Sequence, residues 1–172
     1  MAVIAVYPGS FDPVTFGHLD IMIRSSALFD ELHVVVVHNP AKQPRFSSEE
    51  RVSLIQQVLR EADQPNLDAS KIKVTNLDAG LLVDYCRMVN SKLIIKGIRA
   101  ASDYDYELPM AVVNGDLANV ETLFLPANAF FNHVSSSLVK QVFDLGGKVE
   151  NYVPNAVVEA LERNTRNREV SE

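Results

Sequence analysis

Two hydrophobic periods alternate along this chain. Residues 3–7, 32–37, 72–76, 93–95 and 122–125 are short apolar runs, most of them rich in β-branched side chains, the pattern of β-strands. The run LHVVVV at 32–37 is continuous rather than alternating, as a strand buried on both faces would be. Between these runs the period changes to 3.6. Residues 18–29 place Ile21, Met22, Ser25, Leu28 and Phe29 on one helical face. Further helices are predicted at 47–60, 81–90, 106–119, 135–145 and 154–163. Ser47-Ser48-Glu49-Glu50 is a capping box for the first of these. Gly146-Gly147 supplies a C-cap, and Pro154 suits a first turn. Proline is tolerated only in a helix's first turn, so Pro109 moves the expected start of the 106–119 helix to near Leu108.

Parallel neighbours need crossovers, so the alternation implies an α/β fold: a doubly wound parallel sheet of about five strands with helices on both faces. A single domain is expected over residues 1–163. Residues 164–172 are polar apart from Val170 and are expected to form a disordered tail. Ligands in such sheets bind outside the carboxyl ends of the strands. The informative loops are therefore those after Tyr7, Val37, Asn76, Ile95 and Leu125.

Composition narrows the classes. With 172 residues, 47% apolar and 22% charged, the chain reads as an ordinary globular domain. One cysteine, Cys86, allows no internal disulfide and fits a reducing compartment. No leader pattern opens the chain, and no apolar run approaches the ~20 residues that span a bilayer. A soluble, cytoplasmic protein without membrane partners is the expectation. The net charge of −6 argues against long nucleic acid, which needs a broad basic surface. A small anionic ligand needs only a few placed cations and helix N-termini.

The loop after the first strand reads Tyr7-Pro8-Gly9-Ser10-Phe11-Asp12-Pro13-Val14-Thr15-Phe16-Gly17-His18. Gly17-His18 opens a helix whose free amides carry partial positive charge, so an imidazole there suits donation to a phosphate oxygen. The plainer alternative is a capping turn with an incidental histidine. Lys42 follows the second strand as a flexible point cation. Lys96-Gly97-Ile98-Arg99 follows the fourth and could bring two cations to a triphosphate; otherwise Arg99 would pair with Asp103 and Asp105 in a helix-entry loop. Ser135, Ser136 and Ser137 open a helix, as caps, as a phosphate cradle, or as both. His33, His38 and His133 share no metal-ligand spacing. Walker A and G-x-G-x-x-G motifs are absent.

PGSFDPVTFGH resembles the N-terminal signature of the bacterial phosphopantetheine adenylyltransferases, a branch of the nucleotidyltransferases marked by (His/Thr)-x-Gly-His. The resemblance continues through Pro-x-Lys at 40–42, Lys96-Gly97-Ile98-Arg99, Asp103-Tyr104-Asp105-Tyr106-Glu107 and Ser135-Ser136-Ser137-Leu138-Val139-Lys140. It implies a Rossmann-like nucleotidyltransferase fold and transfer of the adenylyl group of ATP to 4'-phosphopantetheine. Carried over residue by residue, it implies His18, Lys42 and Arg99 as catalytic residues. ATP would meet Ser10, Phe11, His18, Gly97, Arg99, Glu107 and Ser135 to Ser137. Phosphopantetheine would meet Ser10, Lys42, Leu81, Leu82, Lys96 and Asn114, although ordinary packing accounts equally for the two leucines. It further implies Mg²⁺ accompanying ATP without a protein metal site, coenzyme A as a feedback ligand, and a homohexamer.

Four positions depart from the usual family pattern: Lys96 for arginine, Pro109 for glutamine, His133 for another aromatic, and Gln141 for glutamate. Two other functions fit the same motifs. The chain could transfer a nucleotidyl group to a different acceptor, such as nicotinate mononucleotide or, from CTP, an alcohol phosphate. It could also be a nucleotide sensor without turnover.

Overall fold

The computed structural model describes residues 2–38 and 43–169. These residues contain five strands: β1 (Ile4–Gly9), β2 (Glu31–Val37), β3 (Ile72–Leu77), β4 (Leu93–Ile98) and β5 (Glu121–Pro126). They form one parallel sheet in the order β3-β2-β1-β4-β5. Among the described residues six α-helices connect or cover them: α1 (Phe16–Leu28), α2 (Ser48–Glu61), α3 (Leu82–Met88), α4 (Ala101–Ala118), α5 (Ser136–Asp144) and α6 (Asn155–Glu169). The doubly wound α/β fold expected from the alternation is the fold observed.

Strand side chains alternate between two apolar layers. Ala5, Tyr7, Leu32, Val34, Val36 and Ile95 pack with α1, α2 and α6, where Met22, Ile55 and Leu161 are fully buried. Val6, Val35 and Ile94 face the other way, onto Cys86 and Leu82 of α3 and Val120. Burial on both faces explains why β2 reads as an unbroken apolar run.

The order places a topological switch beside β1, where the chain first winds toward β2 and later returns to β4. β1 pairs with β2 over six residues but with β4 only at Ala5 and Val6. Past Val6 the two strands part, while β4 stays paired to β5 through Ile98. A crevice therefore opens at the carboxyl ends of β1 and β4.

Three expectations are corrected. α4 starts at Ala101, not near Leu108, and carries Pro109 inside it. Asp103 closes its first turn by accepting the Arg99 amide at 2.9 Å. The bond Pro109 cannot make would have gone to the carbonyl of exposed Asp105, which water can reach. α6 continues to Glu169, past the expected end at 163. Asn164 donates to the Arg45 carbonyl and Thr165 accepts from its guanidinium, so these polar residues are docked. Leu28, assigned to the buried face of α1, is 64% exposed; Leu19 takes a buried position instead.

Candidate active site

The crevice is a cleft of about 870 Å³. Its floor is the loop between β1 and α1. Phe11 adopts φ +46° and folds its ring back under the loop, edge-on to Tyr7 at 5.3 Å and to His18 at 5.1 Å. Gly9 is required there, because a Cβ would lie 2.7 Å from the Phe11 ring.

Thr15 is the N-cap of α1, and its hydroxyl accepts the His18 amide. In return, His18 Nδ1 accepts the Thr15 amide at 3.0 Å. This is a capping box with imidazole where a carboxylate usually stands. An amide proton cannot be surrendered, so Nδ1 is an acceptor and the neutral ring carries its proton on Nε2. Loss of water around the ring, and secondarily the Arg99 charge, push the His18 pKa down to about 4. His18 is thus a neutral donor at pH 7, and it lines the cleft.

On the β4 side, the Arg99 guanidinium grips Asp103 through Nε and Nη2, both at 3.0 Å, and donates Nη1 to the Val134 carbonyl at 3.0 Å. This fork ties the start of α4 to the segment before α5. Lys96 pairs with Glu107 at 2.9 Å. Ser135 caps α5 by accepting the Leu138 amide, and Ser136 donates to the Pro13 carbonyl at 2.7 Å. Ser135, Ser136 and Ser137 at the start of α5 line the cleft, and a helix start carries amides without intrahelical partners.

On the β2 side, Asp12 is 6% exposed and accepts the Arg45 and Phe46 amides at 3.0 Å. Lys140 of α5 neutralises it at 2.5 Å. Arg51 of α2 reaches beneath the loop and donates to the Ser10 carbonyl at 2.7 Å.

Ser10, Phe11, His18, Lys96, Gly97, Arg99, Glu107 and the three serines therefore share one cleft, as the motifs implied. Lys42 lies outside the described residues. Leu81, Leu82 and Asn114 do not line the cleft: Leu81 is exposed, Leu82 packs under the sheet beside Cys86, and Asn114 is buried on α4. Asp12, Arg51 and Asp103 line it without having been marked as site residues. Each acts through a partner distant in sequence or adds to an ordinary helix start, so local pattern gave no signal. Among the described residues no three histidine, cysteine or acidic side chains converge as a metal site. Burial pushes the Cys86 thiol up to about 11, which leaves it an inert core residue.

Residues 6–142 match the cytidylyltransferase-like family. The phosphopantetheine adenylyltransferase of Clavibacter michiganensis subsp. michiganensis is 54% identical over 158 residues, covering 92% of this chain and 94% of that protein. The phosphopantetheine adenylyltransferase of Bifidobacterium animalis subsp. lactis is 49% identical, covering 95% of this chain and 99% of that protein. The solved nicotinic acid mononucleotide adenylyltransferase of Plasmodium falciparum, complexed with NaAD, superposes with a TM-score of 0.72. It covers 95% of this chain and 97% of that one; at 16% identity this is a likeness of fold alone.

Proposed function

The chain belongs to the phosphopantetheine adenylyltransferases of the cytidylyltransferase-like family, and we propose how its cleft performs their reaction. The reaction moves the adenylyl group of ATP to 4'-phosphopantetheine, giving dephospho-coenzyme A and pyrophosphate in coenzyme A biosynthesis. An acceptor phosphate oxygen attacks the α-phosphorus in line. The bond to the β-phosphate bridging oxygen breaks, and its electron pair leaves with pyrophosphate. The acceptor phosphate is already an anion near neutral pH, so the step needs no general base. Catalysis then rests on positioning and on stabilising the charge that grows in transit.

His18 donates Nε2–H to a non-bridging α-phosphoryl oxygen. Arg99 and the free amides at the start of α5 face the leaving pyrophosphate, with Ser135 to Ser137 around it. Ser10 and Lys42 hold the acceptor phosphate. The observation that carries this reading is the capping box: Nδ1 is committed to Thr15, which leaves Nε2–H for the cleft. Mg²⁺ would accompany ATP and offset the charge of its phosphates. The loop's own carboxylate, Asp12, is already occupied by two amides and Lys140.

The protein is proposed to act in the cytoplasm; no described helix is long and apolar enough to cross a membrane. Coenzyme A carries the acceptor's arm and an adenosine-phosphate moiety together, and it would compete for the same cleft. α4 exposes Tyr106, Met110, Val113 and Leu117 at the 4-3-4 spacing of a helix-packing seam. That seam supports self-association, and the number of six copies follows the family.

The test is incubation with ATP, Mg²⁺ and 4'-phosphopantetheine, with detection of dephospho-coenzyme A. Asparagine keeps an acceptor where Nδ1 stands but has nothing at Nε2. His18→Asn should therefore retain ATP binding and lose about 10²–10³ in kcat. A kcat within about threefold of wild type, against that loss, would remove His18 from the mechanism.

A further inference from the structure

Among the described residues, four cationic side chains line the cleft: Arg51, Lys96, Arg99 and Lys140. Three have a carboxylate. Lys96 pairs with Glu107, Arg99 with Asp103 and Lys140 with Asp12. Arg51 has none, although it is only 3% exposed. Its Nε donates to the Ser47 carbonyl at 3.2 Å and its Nη1 to the Ser10 carbonyl at 2.7 Å, so among the described residues its partners are two neutral oxygens.

Its position makes the charge costlier. Arg51 is the fourth residue of α2, near the positive end of that helix, where a cation is disfavoured. Glu50 does not answer it, because its carboxylate closes the capping box on the Ser47 amide at 2.7 Å. A buried charge without a partner is destabilising, and a bound anion would supply the missing counter-charge.

We propose that Arg51 is a binding residue for the acceptor's phosphomonoester, whose negative charge completes the ion pair that the ligand-free fold leaves open. The assignment to the acceptor follows from the sheet order. Arg51 and the Ser10 turn lie on the β2 side of β1. Arg99 and the start of α5 lie on the β4 side, with His18 between them. Two anions meeting at His18 would then each have an arginine at the far end. The proposal rests on the adenylyl-transfer reading and adds to it the residue that recognises the attacking phosphate.

Arg51→Met keeps an unbranched apolar stem and removes the charged guanidinium. The measurement compares binding of 4'-phosphopantetheine with that of pantetheine, which lacks the phosphate. In the wild-type protein the phosphorylated form should bind more tightly, and in Arg51→Met this advantage should shrink about 10- to 100-fold. The KM for ATP should move by less than about threefold. Arg51→Lys keeps the charge without the planar fork and should retain part of the advantage; it carries the test if the methionine variant does not fold. An undiminished phosphate advantage in both variants would overturn the proposal, as would a loss falling on ATP instead. If the wild-type protein does not turn over 4'-phosphopantetheine, the functional reading fails separately. Calorimetric titration with inorganic phosphate still reads the site: weaker binding to Arg51→Met supports it, and equal binding overturns it.

Discussion

Acidification from pH 7 to pH 4 should weaken this fold through His18 in a way that one substitution removes. The native ring resists protonation down to about 4, first because it has lost water and second because Arg99 is near. In the unfolded chain the same ring returns to its ordinary value near 6.5. Between those values the unfolded state takes up a proton that the native state refuses. The group's contribution is therefore whole above about pH 6.5 and is lost as the pH falls through about 4. A tenfold change in proton affinity is worth about 1.4 kcal/mol, so the full interval corresponds to about 3 kcal/mol. Structure adds a second cost: a protonated Nδ1 can no longer accept the Thr15 amide, and the cap of α1 is lost with it.

The assay is urea denaturation at half-unit pH steps, on the wild-type protein and on His18→Asn. The carboxylates contribute the same acid slope to both, so the difference between the curves isolates His18. The wild-type curve should fall more steeply between pH 6.5 and 4. Nitrogen-15 spectra of the imidazole should show the proton on Nε2 at pH 7. Parallel stability curves, or a neutral ring protonated at Nδ1, would refute both the shift and the donor role built on it.

Other sites give independent outcomes. Asp12→Asn leaves the partly buried Lys140 ammonium without its carboxylate, and stability should drop by about 3 kcal/mol in chemical denaturation. Gly9→Ala drives a methyl against the Phe11 ring, which abuts His18. It should cost about 1–3 kcal/mol in a thermal melt and lower kcat more than the KM for ATP. Val113→Glu with Leu117→Glu places charge on the exposed seam of α4; if that seam is the proposed self-association surface, the mass in light scattering should fall below that of the wild type. An unchanged mass would remove α4 from the interface.

Features that depend on neighbours within a helical turn or on strand burial were legible in the chain. The Ser47–Glu50 box, the glycine stop after α5 and the doubly buried β2 are of this kind. Features that depend on charges meeting across the fold were not. Arg51 reads locally as a solvated first-turn residue, and its contact with Ser10 spans 41 positions. Thr165 is polar and near the chain's end, which suggested a fraying tail; its bond to Arg45 spans 120 positions. Leu81, Leu82 and Asn114 came from resemblance alone, and none lines the cleft.

His18 stood out for a local reason and turns out to need a local explanation of a different kind. In the sequence its helix matters because the amides there favour anions. The structure makes the ring itself part of the cap. A glutamate at this third helical position would accept the Thr15 amide equally well, but it would set a negative charge against the phosphates. Glutamine carries its donor and acceptor on one terminal carbon and cannot reach in two directions. Asparagine keeps the acceptor, but its amide donor sits on the same carbon and does not reach where Nε2 stands. Imidazole alone places an acceptor and a donor on opposite sides of one rigid ring, with Nδ1 on the backbone and Nε2 free for the substrate. The requirement for histidine here is thus set jointly by helix capping and by the charge of the reaction, so a variant that satisfies only one should separate stability from turnover.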